Sequence, residues 1–206
     1  MVHPSYSPPE YSSSKEHDIA LLKLLHPVKL STHAGLACLP PEFSEPPVGT
    51  LCTVTGWGHL EHRAGWSPEL LHMAQVPLVS YRYVIVLNEF IIAKTYLLYF
   101  SSSSLSFSLS LSLSLSLSSS CRSSQSYGSL VSRNMLCAGW REGGPDACQN
   151  DSGGPLVCPI SDSSEEQWAL YGVVNYGEGC GFPHKYGVYA RVTKYMRWIN
   201  RKMRLQ

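Results

Sequence analysis

The sequence has almost no net charge and no block of basic residues. Sixteen Lys and Arg side chains stand against fifteen Asp and Glu in 206 residues, which leaves a formal charge of +1. Proteins that bind polyanions usually present a strongly basic face, so nucleic acid is not expected as a partner. A chain of this length can bury a sizeable core as one large or two small globular domains.

The cysteines lack the close CxxC pairs of a structural zinc site, so no metal or other cofactor is expected. Seven cysteines are many for a cytosolic protein, and disulfides formed in an oxidising compartment are the better interpretation. This predicts a secreted or extracellular protein. Residues 1–6, however, lack the basic and apolar regions of a signal peptide, so we expect a truncated chain.

No apolar run has the roughly 20 uncharged residues that a membrane-spanning helix needs. The nearest candidate lies in residues 81–120, but it contains Glu89 and Lys94 and then passes into alternating Leu and Ser. Such alternation is also typical of a strand with one leucine face, which is an aggregation hazard when exposed. A CT dinucleotide repeat translates in the same way. We interpret 81–120 as a disordered low-complexity insertion of non-coding origin and expect no membrane contact.

Short apolar runs separated by glycine-rich turns predict an all-β fold. Residues 17–24 lead into His26-Pro27 and predict a buried strand, and residues 51–58, 167–175 and 187–192 predict three more. Strands of this length and spacing favour a barrel or a sandwich.

The apolar period changes at the end of the chain, where it predicts a short helix packed on the β-structure. Thr193 is the expected N-cap, and Trp198 adds bulk to bury. The expected apolar face consists of Val192, Tyr195, Met196, Ile199 and Met203.

Residues 146–158 form the most specific segment. Asp151 precedes Ser152, two glycines follow, and Cys148 and Cys158 lie on either side. A bare Ser-Gly-Gly is usually a turn. A tight loop that disulfides hold in place, by contrast, would fix a nucleophile and backbone N–H donors at one point.

This segment is one of five motifs whose order resembles that of the trypsin-like, chymotrypsin-fold serine proteases. The motifs are residues 17–22, 52–58, 135–139, 146–158 and 187–192. The resemblance covers roughly 3–80 and 121–201. It implies an all-β double β-barrel in which 1–47 is the remnant of an incomplete first barrel, while 48–80 and 121–206 form most of the second barrel with a short C-terminal helix.

The resemblance also implies roles for single residues. Ser152 would be the nucleophile, Asp18 the buried acid that orients the histidine base, and Asp146 the acid of a pocket that selects Arg or Lys. Asp18 as a cap or ion-pair partner and Asp146 as a surface-turn residue stay open as alternatives. The backbone N–H groups of Asn150 and Ser152 would form the oxyanion hole, with Asn150 in place of the family's glycine.

The substrate edge implied by the resemblance is Asn175, Tyr176 and Gly177, which would pair with the substrate backbone. Protein or peptide substrates and protease inhibitors are the implied partners. Family pairing would join Cys52 to Cys158, Cys121 to Cys137, and Cys148 to Cys180. Cys38 would be left over, either as a tether to an upstream chain or as a free thiol.

Two departures from the family weaken the expected activity. Only seventeen residues precede Asp18, so the family's Ala-Ala-His-Cys segment with the base is missing, and His17 would point to the face opposite Asp18. The family's Ile-Val-Gly-Gly start is also missing, so Asp151 is expected to lack its activating cation.

The function is therefore open between three hypotheses. The first is a trypsin-like endopeptidase represented by an inactive form, and the second is a non-catalytic homologue that binds substrates or inhibitors. The third is a mis-spliced chain that does not fold.

Overall fold

The computed structural model describes residue 8 and residues 15–81, 85–86, 116–117, 120–160 and 167–204. These residues contain eight β-strands, one α-helix and a 3-10 turn at Gly128–Leu130. The strands are β1 Leu51–Gly56, β2 His72–Val79, β3 Ile85–Val86, β4 Ser116–Leu117, β5 Met135–Ala138, β6 Pro155–Pro159, β7 Trp168–Tyr176 and β8 Gly187–Arg191, and the helix is α1 Val192–Arg204.

Six of the strands close into an antiparallel barrel in the order β1-β2-β5-β8-β7-β6. The barrel closes where β6 pairs with β1, with Val157 opposite Thr53 and Leu156 opposite Val54. Closure gives each of the six strands a hydrogen-bonded neighbour on both sides. The prediction of an all-β barrel fold is confirmed, and β1, β7 and β8 lie where the apolar runs placed them.

The barrel interior is filled by side chains that alternate along the strands. Val76, Leu156 and Tyr189 lie in this core and have no exposed surface. The disulfide between Cys52 and Cys158 lies in the same core and joins two neighbouring strands.

Helix α1 packs on the barrel through the predicted face, with two corrections. Val192, Tyr195, Met196, Trp198 and Ile199 are buried there. Met203 is 60% exposed, because it lies in the last turn beyond the barrel wall. Thr193 is not the N-cap, because the helix already begins at Val192 and the Thr193 hydroxyl instead donates to Glu45 Oε1 at 3.0 Å.

Residues 15–50 form no strand in the structure. They make isolated bridges instead, among them Ser31 with Ala34 and Cys38 with Ala169. The predicted buried strand over 17–24 is wrong: Asp18 is exposed and Leu22 is 61% exposed. A leucine-rich strand is buried only when a second sheet faces it, and 15–50 supplies none.

The chain leaves the barrel at Ser80 and returns to it beside the same place at Ser120, on either side of the predicted insertion. Ser80 and Ser120 form a parallel bridge, and the Cys121 N–H donates to the Ser80 carbonyl at 3.0 Å. Between them, β3 and β4 pair antiparallel. The predicted disorder of 81–120 otherwise falls on residues outside those described. Within the described part of the chain, no helix has the length and apolarity to cross a membrane.

Candidate active site

The loop that carries Ser152 is closed by its own backbone and attached to β7. The Asp151 N–H donates to the Cys148 carbonyl at 3.1 Å, and the Gly154 N–H donates to the Asp151 carbonyl at 2.8 Å. The Gly153 N–H donates to Val174 on β7 at 2.9 Å, and Val174 donates back to Gly154 at 2.9 Å. The loop is therefore held rigidly between the end of β7 and the start of β6.

Two N–H groups of this loop remain available to a ligand. Among the described residues, neither the Asn150 N–H nor the Ser152 N–H has a hydrogen-bond acceptor. Both residues are exposed. Asn150 has φ 76°, in the left-handed region that Asn tolerates better than most residues and Gly adopts freely. A pair of unused donors beside a serine hydroxyl is what an oxyanion hole requires.

The Asp151 carboxylate does not lack partners, contrary to our expectation. Oδ1 accepts from the Gly58 N–H at 2.7 Å, and Oδ2 accepts from the Cys148 N–H at 2.9 Å. The carboxylate fits against Gly56 and Gly58, because a Cβ on either glycine would overlap it. These two backbone donors hold the carboxylate in place.

Ser152 lines a cavity of about 220 Å³ together with the predicted substrate edge, Asn175, Tyr176 and Gly177. Its further walls are Ala147, Cys148, Gln149, Val174, Gly179 and Gly187. We call this the serine cavity. The structure therefore brings the predicted nucleophile and the predicted edge residues to one cavity.

Asp146 lies behind the serine cavity rather than in its lining. Its Oδ1 accepts from the Ala147 N–H at 2.8 Å and its Oδ2 from the Gly181 N–H at 3.1 Å. A Cβ on Gly187, which does line the serine cavity, would stand 2.8 Å from Asp146 Oδ1. Asp146 and Asp151 both line a neighbouring cavity of about 280 Å³.

The surroundings of Asp146 favour its neutral form. Burial, with a smaller contribution from the charge of Asp151, raises the pKa of its carboxyl to about 6. The hydrogen bonds from Gly181 and Ala147 act in the opposite direction, but they are the smaller effect. A cation placed next to Asp146 would therefore restore its charged form.

The substrate edge is covered from outside by the first described residues of 15–50. The Asn175 side chain donates to the Lys15 carbonyl at 3.0 Å, and the Lys15 ammonium lies 4.3 Å from the centre of the Tyr176 ring. The Tyr176 ring also packs edge to face on Tyr127 at 5.8 Å. Burial, with a smaller contribution from the charge of Glu16, raises the pKa of Tyr176. The edge thus keeps an aromatic wall.

Asp18 and His17 lie on the same segment but in different surroundings. Asp18 is exposed, so the expectation of a buried acid is wrong. Asp18 stands outside any strand, in a stretch whose leucines have no facing sheet. His17 Nδ1 lies 3.4 Å from the Tyr195 hydroxyl on α1, so this ring is directed to the helix.

The structure contains the three disulfides that the resemblance implies. They join Cys52 to Cys158, Cys121 to Cys137, and Cys148 to Cys180. The last ties the serine loop to the turn that precedes β8. Cys38 is a free, exposed thiol.

Sequence reasoning missed the loop that faces the serine loop. His59, His62, Arg63 and Ser67 contact the side chains of Gln149 and Asn150. It also missed the fit of Gly56 and Gly58 against Asp151. The Gly-Trp-Gly spacing at 56–58 was a usable signal for that close approach, whereas contacts between distant polar side chains leave no periodic pattern.

A closed antiparallel barrel, a C-terminal helix and a disulfide-tied Ser152 loop with two free N–H groups together define a chymotrypsin-like protein. The family model described as Trypsin matches residues 1–96 and 101–199, so the chain belongs to the trypsin family of serine proteases.

Three curated relatives agree with this assignment. Human transmembrane protease serine 5 is 35% identical over 198 residues, which are 96% of this chain and 34% of the relative. Mouse transmembrane protease serine 11C is 33% identical over 98% of this chain and 36% of its own length, and pig coagulation factor XII is 36% identical over 96% and 26%. The chain spans about a third of the length of these relatives.

Proposed function

We propose that this chain carries the site of a serine endopeptidase that cleaves after Arg or Lys. Ser152 Oγ would attack the substrate carbonyl, and the N–H groups of Asn150 and Ser152 would donate to the oxygen as it becomes negative. The substrate side chain would enter the serine cavity, behind which Asp146 lies.

The observation that carries this proposal is the pair of unused N–H donors next to Ser152. Both residues are exposed, so water can accept from these donors in the free protein, and a substrate oxygen next to Ser152 would take its place.

We further propose that the 206-residue chain by itself is inactive or nearly so. Asp18 would be the orienting acid. None of the histidines lies in a segment like the family's Ala-Ala-His-Cys, and the His17 ring is next to the Tyr195 hydroxyl. Loss of one triad member leaves about 10³ to 10⁴ of rate enhancement over the uncatalysed reaction in this kind of enzyme.

The test is hydrolysis of an arginine-linked chromogenic peptide by the purified chain, with Ser152→Ala as the control. We expect the two proteins to hydrolyse the peptide at the same rate, which is no higher than the residual rate. Turnover that Ser152→Ala abolishes would contradict the proposed inactivity and support the endopeptidase itself.

A second candidate function is a non-catalytic module that binds protease substrates or inhibitors. It is favoured because the barrel with the serine cavity is complete, whereas 15–50 contributes no strand. Calorimetry with benzamidine, an arginine-like cation, tests both candidates. Saturable binding that Asp146→Asn weakens would indicate a folded chain with a working pocket, and together with the absence of Ser152-dependent turnover it would favour the module. Absence of binding, together with a circular-dichroism signature of a molten state, would favour a chain that does not fold.

The domain and partner assignments complete the proposal. Residues 1–47 would be the remnant of the first barrel and 81–120 an insertion. The exposed Cys38 would form a disulfide to an upstream chain, and the protein would be secreted, where disulfides persist. Mass spectrometry of the non-reduced protein from culture medium tests the tether, since a free Cys38 thiol there contradicts it.

A further inference from the structure

The serine loop is fastened to the facing loop, residues 58–67, by two successive residues. The His59 N–H donates to the Gln149 carbonyl at 2.8 Å, and Gln149 Nε2 lies 3.0 Å from His62 Nδ1. Next to it, Asn150 Nδ2 lies 3.3 Å from His59 Nε2 and donates to Ser67 Oγ at 3.2 Å. The side chain of the residue that supplies a free N–H is therefore itself bound at two places.

A carboxamide nitrogen carries two protons, so Asn150 Nδ2 can donate to both acceptors at once. His59 Nε2 accepts when the neutral ring carries its proton on Nδ1. The two acceptors come from opposite ends of the 58–67 loop, so the amide joins these ends to the serine loop.

The backbone of Asn150 has φ 76°, in the left-handed region. Asn enters this region more readily than most residues with a side chain, and contacts of its side chain help to fix such a conformation. The free N–H belongs to the same residue. A rotation at Asn150 would change the direction in which this donor points.

We propose that the Asn150 side chain is a positioning group: by binding His59 and Ser67, it holds its own backbone N–H in the direction of the serine cavity. The proposal rests on the proposed function in so far as that N–H meets a substrate oxygen. The side chain itself need not touch the substrate.

The first test measures the motion of the Asn150 N–H by ¹⁵N relaxation in the full chain. His59→Ala with Ser67→Ala removes both acceptors and leaves residue 150 unchanged. We expect the order parameter of Asn150 to fall from about 0.85, typical of rigid backbone, to below about 0.6. His26→Ala with Ser124→Ala, at two exposed positions, is the matched control, and Ser67→Thr, which keeps the hydroxyl, should retain most of the rigidity.

The second test compares two ligands. A peptidyl-arginine boronate forms a bond from boron to Ser152 Oγ, the serine proton passes to solvent, and a boron-bound oxygen occupies the oxyanion position. Benzamidine needs only the specificity pocket. Because the donor is misaligned rather than deleted, we expect His59→Ala with Ser67→Ala to weaken the boronate about tenfold and to leave benzamidine within about twofold.

Three results would overturn the proposal: an unchanged Asn150 order parameter in the double variant, equal weakening of both ligands, or a more mobile N–H with unchanged boronate affinity. Failure of the proposed function is a separate result. It would be seen as absence of both ligands' binding to the wild-type chain, and the relaxation experiment would then still decide whether the side chain fixes its N–H.

Discussion

The six barrel strands each pair with a neighbour on both sides, whereas residues 15–50 form isolated bridges and no strand. The barrel strands bury an apolar core that contains the disulfide between Cys52 and Cys158, and the other two disulfides tie loops to the barrel or to each other. The 15–50 segment exposes most of its leucines, and its cysteine is free. The segment is held at a few points, such as Glu45 on Arg191 and the contacts of Ile19 and Leu21 with α1. Stability should therefore reside almost entirely in the barrel.

The largest effect is expected from the disulfide that joins β1 to β6 in the barrel core. Cys52→Ser with Cys158→Ser opens a link with a sequence separation of 106, and the lost constraint on the unfolded chain should cost about 4 to 5 kcal/mol. Urea unfolding followed by circular dichroism measures the loss. Cys38→Ser is the control and should leave the midpoint unchanged. Similar losses in both proteins would contradict the comparison.

A cavity in the core should have the next largest effect. Leu156 is fully buried, and Leu156→Ala should lower the free energy of unfolding by about 3 kcal/mol, within the usual range of about 2 to 5. Leu36 is 86% exposed, and Leu36→Ala should change it by less than about 0.5 kcal/mol. The same urea titration measures both, and a large loss for Leu36→Ala would show that the segment packs on something in solution.

The pH dependence should also come from the barrel. The folded pKa of Asp146 is raised from 3.8 to about 6, so between these values the folded state holds the proton and the unfolded state does not. Stability from this group therefore falls as the pH rises from about 4 to 7, by on the order of 2 to 3 kcal/mol.

The variant Asp146→Asn should remove this slope. Unfolding free energies of wild type and variant are measured between pH 4 and 7, and their difference isolates Asp146 from other acids. The exposed Asp18 supplies the control, because Asp18→Asn should leave the slope unchanged. A slope that survives Asp146→Asn would assign the effect elsewhere.

The smallest effect concerns the contact that joins the two regions. Arg191 Nη1 lies 2.8 Å from both Glu45 oxygens, and Thr193 donates to the same carboxylate. Because Arg191 is largely buried, Glu45→Gln should cost about 1 kcal/mol by thermal unfolding. Glu42→Gln, which breaks an exposed pair with Arg197, should cost less than about 0.5 kcal/mol. Equal costs would contradict the role of burial.

The parts of the fold that the sequence predicted are those that the barrel buries. Patterns of β-branched, aromatic and glycine residues predicted strands at 51–58, 167–175 and 187–192. These segments do form strands of the closed barrel. Residues 17–24 have an equally apolar pattern, but they form no strand, because no second sheet faces them. A pattern shows which face can be buried, and only a partner decides whether it is.

The residues of the candidate site divide in the same way, into those that the sequence predicted and those that it did not. Ser152 and the edge at 175–177 were found because short motifs carry them, and they do meet at one cavity. The partners of Asp151 were not found, because two backbone N–H groups leave no trace in side-chain chemistry. Thr193 was wrongly predicted to be the N-cap, because a threonine hydroxyl suits that role. In the structure the hydroxyl donates to Glu45, which is distant in the sequence.

Because Ser80 and Ser120 lie side by side, the stability of the barrel should depend little on the segment between them. Since the two ends already meet, the entropy of closing a longer excursion grows only slowly, by about 0.6 kcal/mol for each doubling of its length. Coding variants that shorten or lengthen this stretch could accumulate without selection from the barrel's stability. The junction is also the place at which an engineer could graft a reporter domain whose own termini lie side by side.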